Sequence, residues 1–230
     1  MNVFLNYAMT VDGKISSVDR RGSNFSSSAD KQRMDKIRAR ADVIVVGAET
    51  VRYDDPSFRI RDEALVRKRV ADGRPTQPDL CVLTASGHLP PSLRIFRQST
   101  QRLLIATPAR YSYPPEAVAE ADVLPVNSRM VVPELVRRLA ERGYEQVLVE
   151  GGGRVNARFF QHRLVNEIYL TVSPVILGGA SAPTPVDGAG MSETARPHLA
   201  LLDMEQVGQE LFLHYGVHWN GTAEPAGSFH

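Results

Sequence analysis

The segment Val147-Leu148-Val149-Glu150-Gly151-Gly152-Gly153 joins an apolar strand, a carboxylate and three successive glycines to a helical pattern. Glycine permits positive φ and leaves room for a ligand against the backbone. A helix starting there offers unpaired N–H groups and the positive end of its dipole. Together these features can cradle a pyrophosphate; they also serve as a plain strand-to-helix connector. The spacing matches neither the dinucleotide fingerprint of three spaced glycines nor the P-loop, so a standard Rossmann domain is not expected. Glu150 closes its strand at the carboxyl end, where open α/β sheets place ligands. A carboxylate there can accept from the N–H groups of a heterocycle or simply face solvent.

A second cluster, Gly47-Ala48-Glu49-Thr50-Val51-Arg52-Tyr53-Asp54-Asp55-Pro56, also follows an apolar run. Thr50 and Asp54 stand one helical turn apart and can face one pocket, or can act in capping and turn formation. Arg59 and Arg61 alternate in an extended segment and can place a guanidinium on a phosphate; the plainer reading is a solvated basic face. Arg38 shares its helix with Arg33, Lys36 and Arg40, most of which must be solvated. His214 and His218 fall in a strand pattern, where i and i+4 lie far apart, so no metal site is expected. No Gly-x-Ser-x-Gly elbow is present, and Cys81 sits mid-strand as a buried thiol rather than a nucleophile.

These residues need a scaffold, and the chain supplies an alternation of strands and helices. Strands are expected at 3–9, 42–47, 80–83, 102–106, 122–126, 146–150 and 167–173. The final pair, 199–203 and 210–217, forms a hairpin around Gly208. Helices are expected at 29–41, capped by one of Ser26, Ser27 or Ser28, at 49–53, at 132–142 and from the glycines to about 163. Residues 62–78 read as a helical turn and a loop. The expected fold is α/β: a three-layer α/β/α sandwich with a mainly parallel central sheet and antiparallel C-terminal strands. Residues 1–219 form one domain and 220–230 a flexible tail. The 230 residues include 27 basic and 26 acidic side chains for a net charge of +1, which disfavours nucleic-acid binding. A single cysteine excludes a disulfide framework. Without a signal sequence or an apolar run long enough to span a membrane, the expected protein is cytoplasmic.

Five segments in order carry a family resemblance: Ala8-Met9-Thr10-Val11-Asp12-Gly13-Lys14-Ile15, the stretch Arg38 to Val51, Asp54-Asp55-Pro56-Ser57-Phe58, Leu148-Val149-Glu150-Gly151-Gly152 and Leu164-Val165-Asn166-Glu167. Over about residues 2–218 the chain resembles the pyrimidine reductases of riboflavin biosynthesis, whose domain has a dihydrofolate-reductase-like fold. The resemblance implies NADPH as hydride donor. It also implies a 5-amino-6-ribosylaminopyrimidine 5′-phosphate substrate whose sugar opens to an imine and is reduced at C1′ to ribityl. Uracil and 2,5-diaminopyrimidinone forms are both open, because the deaminase motifs of fused relatives are absent.

By the same resemblance, Ala8, Thr50, Asp54, Ser86 and the run Gly151, Gly152, Gly153, Arg154, Val155, Asn156 onward to Arg158 would contact the cofactor. Ser23, Arg38, Phe58, Arg61 and Glu150 would contact the substrate, with the arginines on the 5′-phosphate. Lys14 and Glu150 would be catalytic. A homodimer is implied as well. Two positions depart from the family: Phe25 stands where an aromatic residue, commonly Trp, is usual, and the loop after Leu83 reads Thr84-Ala85-Ser86-Gly87, which shifts the expected Ser86 contact. Another substrate on the same fold, or a non-catalytic nucleotide-binding protein, are the competing readings.

Overall fold

The computed structural model describes residues 1–19, 25–97, 101–108 and 121–219. Ser23 and the tail 220–230 lie outside them. Among the described residues one nine-stranded sheet forms from β1 (Asn2–Thr10), β2 (Val43–Gly47), β3 (Asp79–Leu83), β4 (Leu103–Thr107), β5 (Ala121–Pro125), β6 (Gln146–Val149), β7 (Glu167–Ser173), β8 (His198–Val207) and β9 (Glu210–His218). The order is β5-β4-β3-β2-β6-β1-β7-β9-β8. All pairings from β5 to β7 are parallel, and those of β9 with β7 and β8 are antiparallel. The helices are α1 (Ser28–Arg40), α2 (Ala48–Asp54), α3 (Glu63–Ala71), α4 (Val131–Glu141) and α5 (Gly153–Gln161).

Side chains alternate across a strand, so a sheet buried on both faces must be apolar at every position. Phe4, Ile44, Val46, Leu80, Val82 and Leu148 pack on one face beneath Ile37 and Ala41 of the α1 region and Val51 of α2. Val3, Leu5, Val43, Val45, Val147 and Val149 pack on the other beneath Leu135 and Leu139 of α4 and Phe159 of α5. This is the expected three-layer sandwich.

Several boundaries differ from expectation for local reasons. Ser27 is the α1 cap; its hydroxyl accepts from the Asp30 N–H at 3.1 Å. Asp42 stays outside β2, its carboxylate accepting from the backbone N–H groups of Glu145 and Gln146. The segment after Asp62 forms the full helix α3, because the Asp62 carboxylate accepts from Ala64 and Leu65 and so caps it. The buried α3 residue Arg69 then donates to the carbonyls of Ala39 and Ala41 and ties α3 to the end of α1. β8 begins one residue before the expected 199–203 and runs four residues past it, from His198 to Val207.

Candidate active site

β6 is inserted between β2 and β1, which brings the carboxyl ends of three parallel strands side by side. A cleft of about 520 Å³ opens there, lined by Asn6 to Ala8 of β1, Gly47 at the end of β2, the 83–86 loop after β3, and Glu150 with the glycine turn after β6. Of the residues proposed from sequence, Ala8, Thr50, Asp54, Ser86, Glu150, Gly151, Gly152, Gly153, Arg154, Val155, Asn156 and Arg158 all stand on this wall.

The glycine turn has a physical reason at each position. Gly151 and Gly152 take φ of 70° and 42°, where a side chain is strained. A Cβ at Gly152 would stand 3.2 Å from the Thr50 hydroxyl. Gly153 has ordinary φ, but a Cβ there would overlap the Thr184 carbonyl and the Asp187 carboxylate. The segment 182–187 is bolted across the turn: the Asp187 N–H donates to the Gly153 carbonyl at 3.1 Å and the Asn156 amide to the Pro185 carbonyl at 2.8 Å. No side chain caps α5, so its N-terminal dipole faces the cleft. Beside it, the buried Asn156 Oδ1 has no hydrogen-bond partner among the described residues. An uncapped helix start, room against the backbone and an unpaired acceptor fit a ligand that carries both phosphate and amide N–H groups.

Thr50 and Asp54 present one face of α2 to the cleft. Burial raises the Asp54 carboxyl above its usual value. Arg154 pairs with Glu49 at 3.1 Å, joining the first turns of α5 and α2. Arg52 donates to the His88 carbonyl and holds the 84–88 loop, in which Ser86 is exposed.

Four proposed residues are not brought to the cleft wall. Arg38 lies behind Glu150: its Nε and Nη2 donate to Oε1 and Oε2, both at 2.7 Å, and Nη1 donates to the Arg59 carbonyl at 3.1 Å. Phe58 is buried, with its ring 5.9 Å from the Arg38 guanidinium carbon. Arg61 is half exposed and faces Asp35 at 3.4 Å, beside a separate depression. Lys14 uses its backbone N–H on the Thr10 hydroxyl, and its side chain is not part of the lining. Sequence reasoning missed Asn6, Asp30 and Asp187. Asn6 lies two residues before Ala8, so strand alternation places it on the same face. Asp30 is signalled by the Ser27 cap. Asp187 has no local signal, because its place depends on the distant glycine turn.

Residues 1–213 match the RibD C-terminal domain family. The chain belongs to that family. It is 33% identical over 221 residues to the 2,5-diamino-6-ribosylamino-4(3H)-pyrimidinone 5′-phosphate reductase of Methanothermobacter thermautotrophicus, covering 94% of this chain and 97% of that protein. It is 30% identical over 210 residues to the protein of the same name from Archaeoglobus fulgidus, covering 90% and 94%. A pyrimidine reductase-like protein from Corynebacterium diphtheriae superposes with a TM-score of 0.80 at 21% identity, over 94% of this chain and 91% of that one. The α/β/α sandwich is therefore the dihydrofolate-reductase-like fold of RibD reductase domains. Among the described residues no helix is long and apolar enough to cross a membrane.

Proposed function

We propose that this chain reduces the ribosyl group of a 5-amino-6-ribosylaminopyrimidine 5′-phosphate to ribityl in riboflavin biosynthesis, with NADPH as the reductant. The observation that carries the reading is β6 ending in Glu150 and running through two positive-φ glycines into an uncapped helix on the cleft. The full-length relatives named for the 2,5-diaminopyrimidinone favour that form of the substrate over the uracil form.

In this reading the start of α5 and the backbone at Gly151 to Asn156 hold the pyrophosphate and nicotinamide parts of the cofactor, with Ala8, Thr50, Asp54 and Ser86 around it. When bound, NADPH supplies a hydride. Glu150 presents its cleft-side lone pairs to the substrate's N–H groups. Holding the 6-amino N–H favours breakage of C1′–O4′, because the nitrogen lone pair then forms the C=N bond while the proton ends on O4′. The glycine turn, the 182–187 segment and α2 close the cleft walls and limit water around the reacting carbon. We also infer a cytoplasmic homodimer, supported by the bare apolar outer strand β8, in which Leu202 is 57% and Met204 60% exposed.

The test offers NADPH with each of the two pyrimidines and follows the nicotinamide absorbance. Turnover of the diaminopyrimidinone is expected, and turnover of neither sinks the assignment. Gly152→Val should also weaken NADPH binding by about 2 kcal/mol, roughly 30-fold, through backbone strain and a branched side chain in the cradle. Unchanged NADPH affinity in a folded variant, read by fluorescence titration, would remove the cofactor from this turn.

A further inference from the structure

Arg38 is the most deeply buried guanidinium near the cleft, at 4% exposure, yet the cleft wall does not include it. Its fork meets Glu150 edge to edge, one N–H to each carboxylate oxygen at 2.7 Å. This is the bidentate geometry that fixes a carboxylate in one plane. The guanidinium is itself anchored. Nη1 donates to the Arg59 carbonyl, and that stretch of chain is pinned on both sides. The Gln101 amide donates to the Phe58 carbonyl, the Gln77 amide bonds both the N–H and the carbonyl of Ile60, and the Arg61 N–H donates to Asp35. Asp35 and Arg38 lie one turn apart on α1. Burial acts to lower the Arg38 pKa, but the charge and hydrogen bonds of Glu150, with Asp35 behind, reverse this and leave it raised. A buried charge held this way is expensive to move, because leaving the pair would strand the carboxylate as well.

We propose that Arg38 is the positioning residue of Glu150, acting through that carboxylate and not as a ligand of the substrate's phosphate. The inference rests on the reductase reading above. Each Glu150 oxygen spends one lone pair on the guanidinium and keeps another for the cleft. The pair thus presents two acceptors in a fixed plane to the N–H groups of the pyrimidine. A lysine at the same place would supply charge without the fork, and the carboxylate would lose its plane.

The experiment compares Arg38→Lys with wild type on the phosphorylated diaminopyrimidine ribonucleotide and on its dephosphorylated ribonucleoside. A positioning role predicts a fall in kcat of roughly 10- to 100-fold, equal for both substrates, with KM and NADPH affinity changed less than about threefold. Methylguanidinium added to Arg38→Ala should restore part of kcat. A loss confined to the phosphorylated substrate, or no loss at all, overturns the proposal.

A second measurement needs no variant. In the wild-type protein the Arg38 Nε–H resonance should be slow to exchange and unmoved by inorganic phosphate or ribose 5-phosphate. A phosphate-dependent shift of that resonance overturns the proposal even if the variants fail to fold. If wild type turns over neither pyrimidine, the reductase reading falls, and the resonance still decides whether this guanidinium meets phosphate.

Discussion

Four consecutive side chains of β3, Leu80 to Leu83, are buried, while no residue of β8 is buried. Both strands belong to one sheet and both are rich in leucine. The difference lies in how each reaches its neighbour. Parallel strands need crossover connections, and those connections carry the helices that cover the sheet. β8 and β9 are joined by a tight turn at Gly208, whose φ is 62°, so no crossover helix accompanies them; β9 still buries Phe212 and Val217, and β8 at the sheet's edge is left bare. The candidate cleft forms in the covered half, where several crossovers start from neighbouring strand ends. At the other edge β8 exposes Leu199, Leu201, Leu202 and Met204, the surface on which the proposed homodimer would form.

The comparison breaks most sharply in the covered half. Leu135 of α4 is fully buried against the sheet. Leu135→Ala should lose about 2–5 kcal/mol in urea unfolding, from lost transfer energy and the cavity left behind. A loss below about 1 kcal/mol would mean that the helix layer is not packed as described.

In the open half the expected effect on the fold is much smaller. Leu202→Asp should change the unfolding free energy of the dilute single chain by no more than about 0.5 kcal/mol. In sedimentation the same variant should move the protein from a dimer's mass to a monomer's. A monomeric wild type at micromolar concentration would show that the bare strand serves another purpose.

The smallest effect is a reaction that does not occur. Burial pushes the Cys81 thiol up to about 12. In mildly alkaline buffer the native protein should therefore leave an aromatic disulfide reagent unreacted, and urea should release one equivalent of thiol. Rapid modification of the folded protein would show that β3 is less covered than β8's opposite number should be.

The local patterns were readable because they are written in neighbouring residues. Val43 to Gly47 and Val147 to Val149 carry the continuous apolar runs of strands buried on both faces, and Val132, Leu135 and Leu139 carry the helical spacing. The glycine turn was legible for the same reason. The partnership of Arg38 with Glu150 was not, since it joins residues 112 positions apart and a motif shows only that both are present. The arginine's type suggests a phosphate ligand equally well, and only its burial decides against a place on the cleft wall. Asp187 escaped notice because the 182–187 segment has no periodic signal and takes its shape from the turn it crosses. The full length of α3 is not legible in the sequence, because Gly73, Pro75 and Pro78 dominate that stretch, while the Asp62 cap that starts the helix is a single side chain.

The placement of β1 bears on how the chain comes to be folded. Its two partners are β6 and β7, and the first of these pairings joins Asn2 to Gln146, 144 residues later. At ribosomal speeds of about 5–20 residues per second, roughly 7–30 s pass between synthesis of the two strands. During that time β2 to β5 can already pair with one another, but Phe4 and Leu5 have no place to go. β1 is thus seated only after β6 has been made, and the cleft between the ends of β1, β2 and β6 exists only once β6 has entered between the other two. Such distant pairing makes folding slow, and a nascent chain with an unseated apolar strand is a natural client for chaperones.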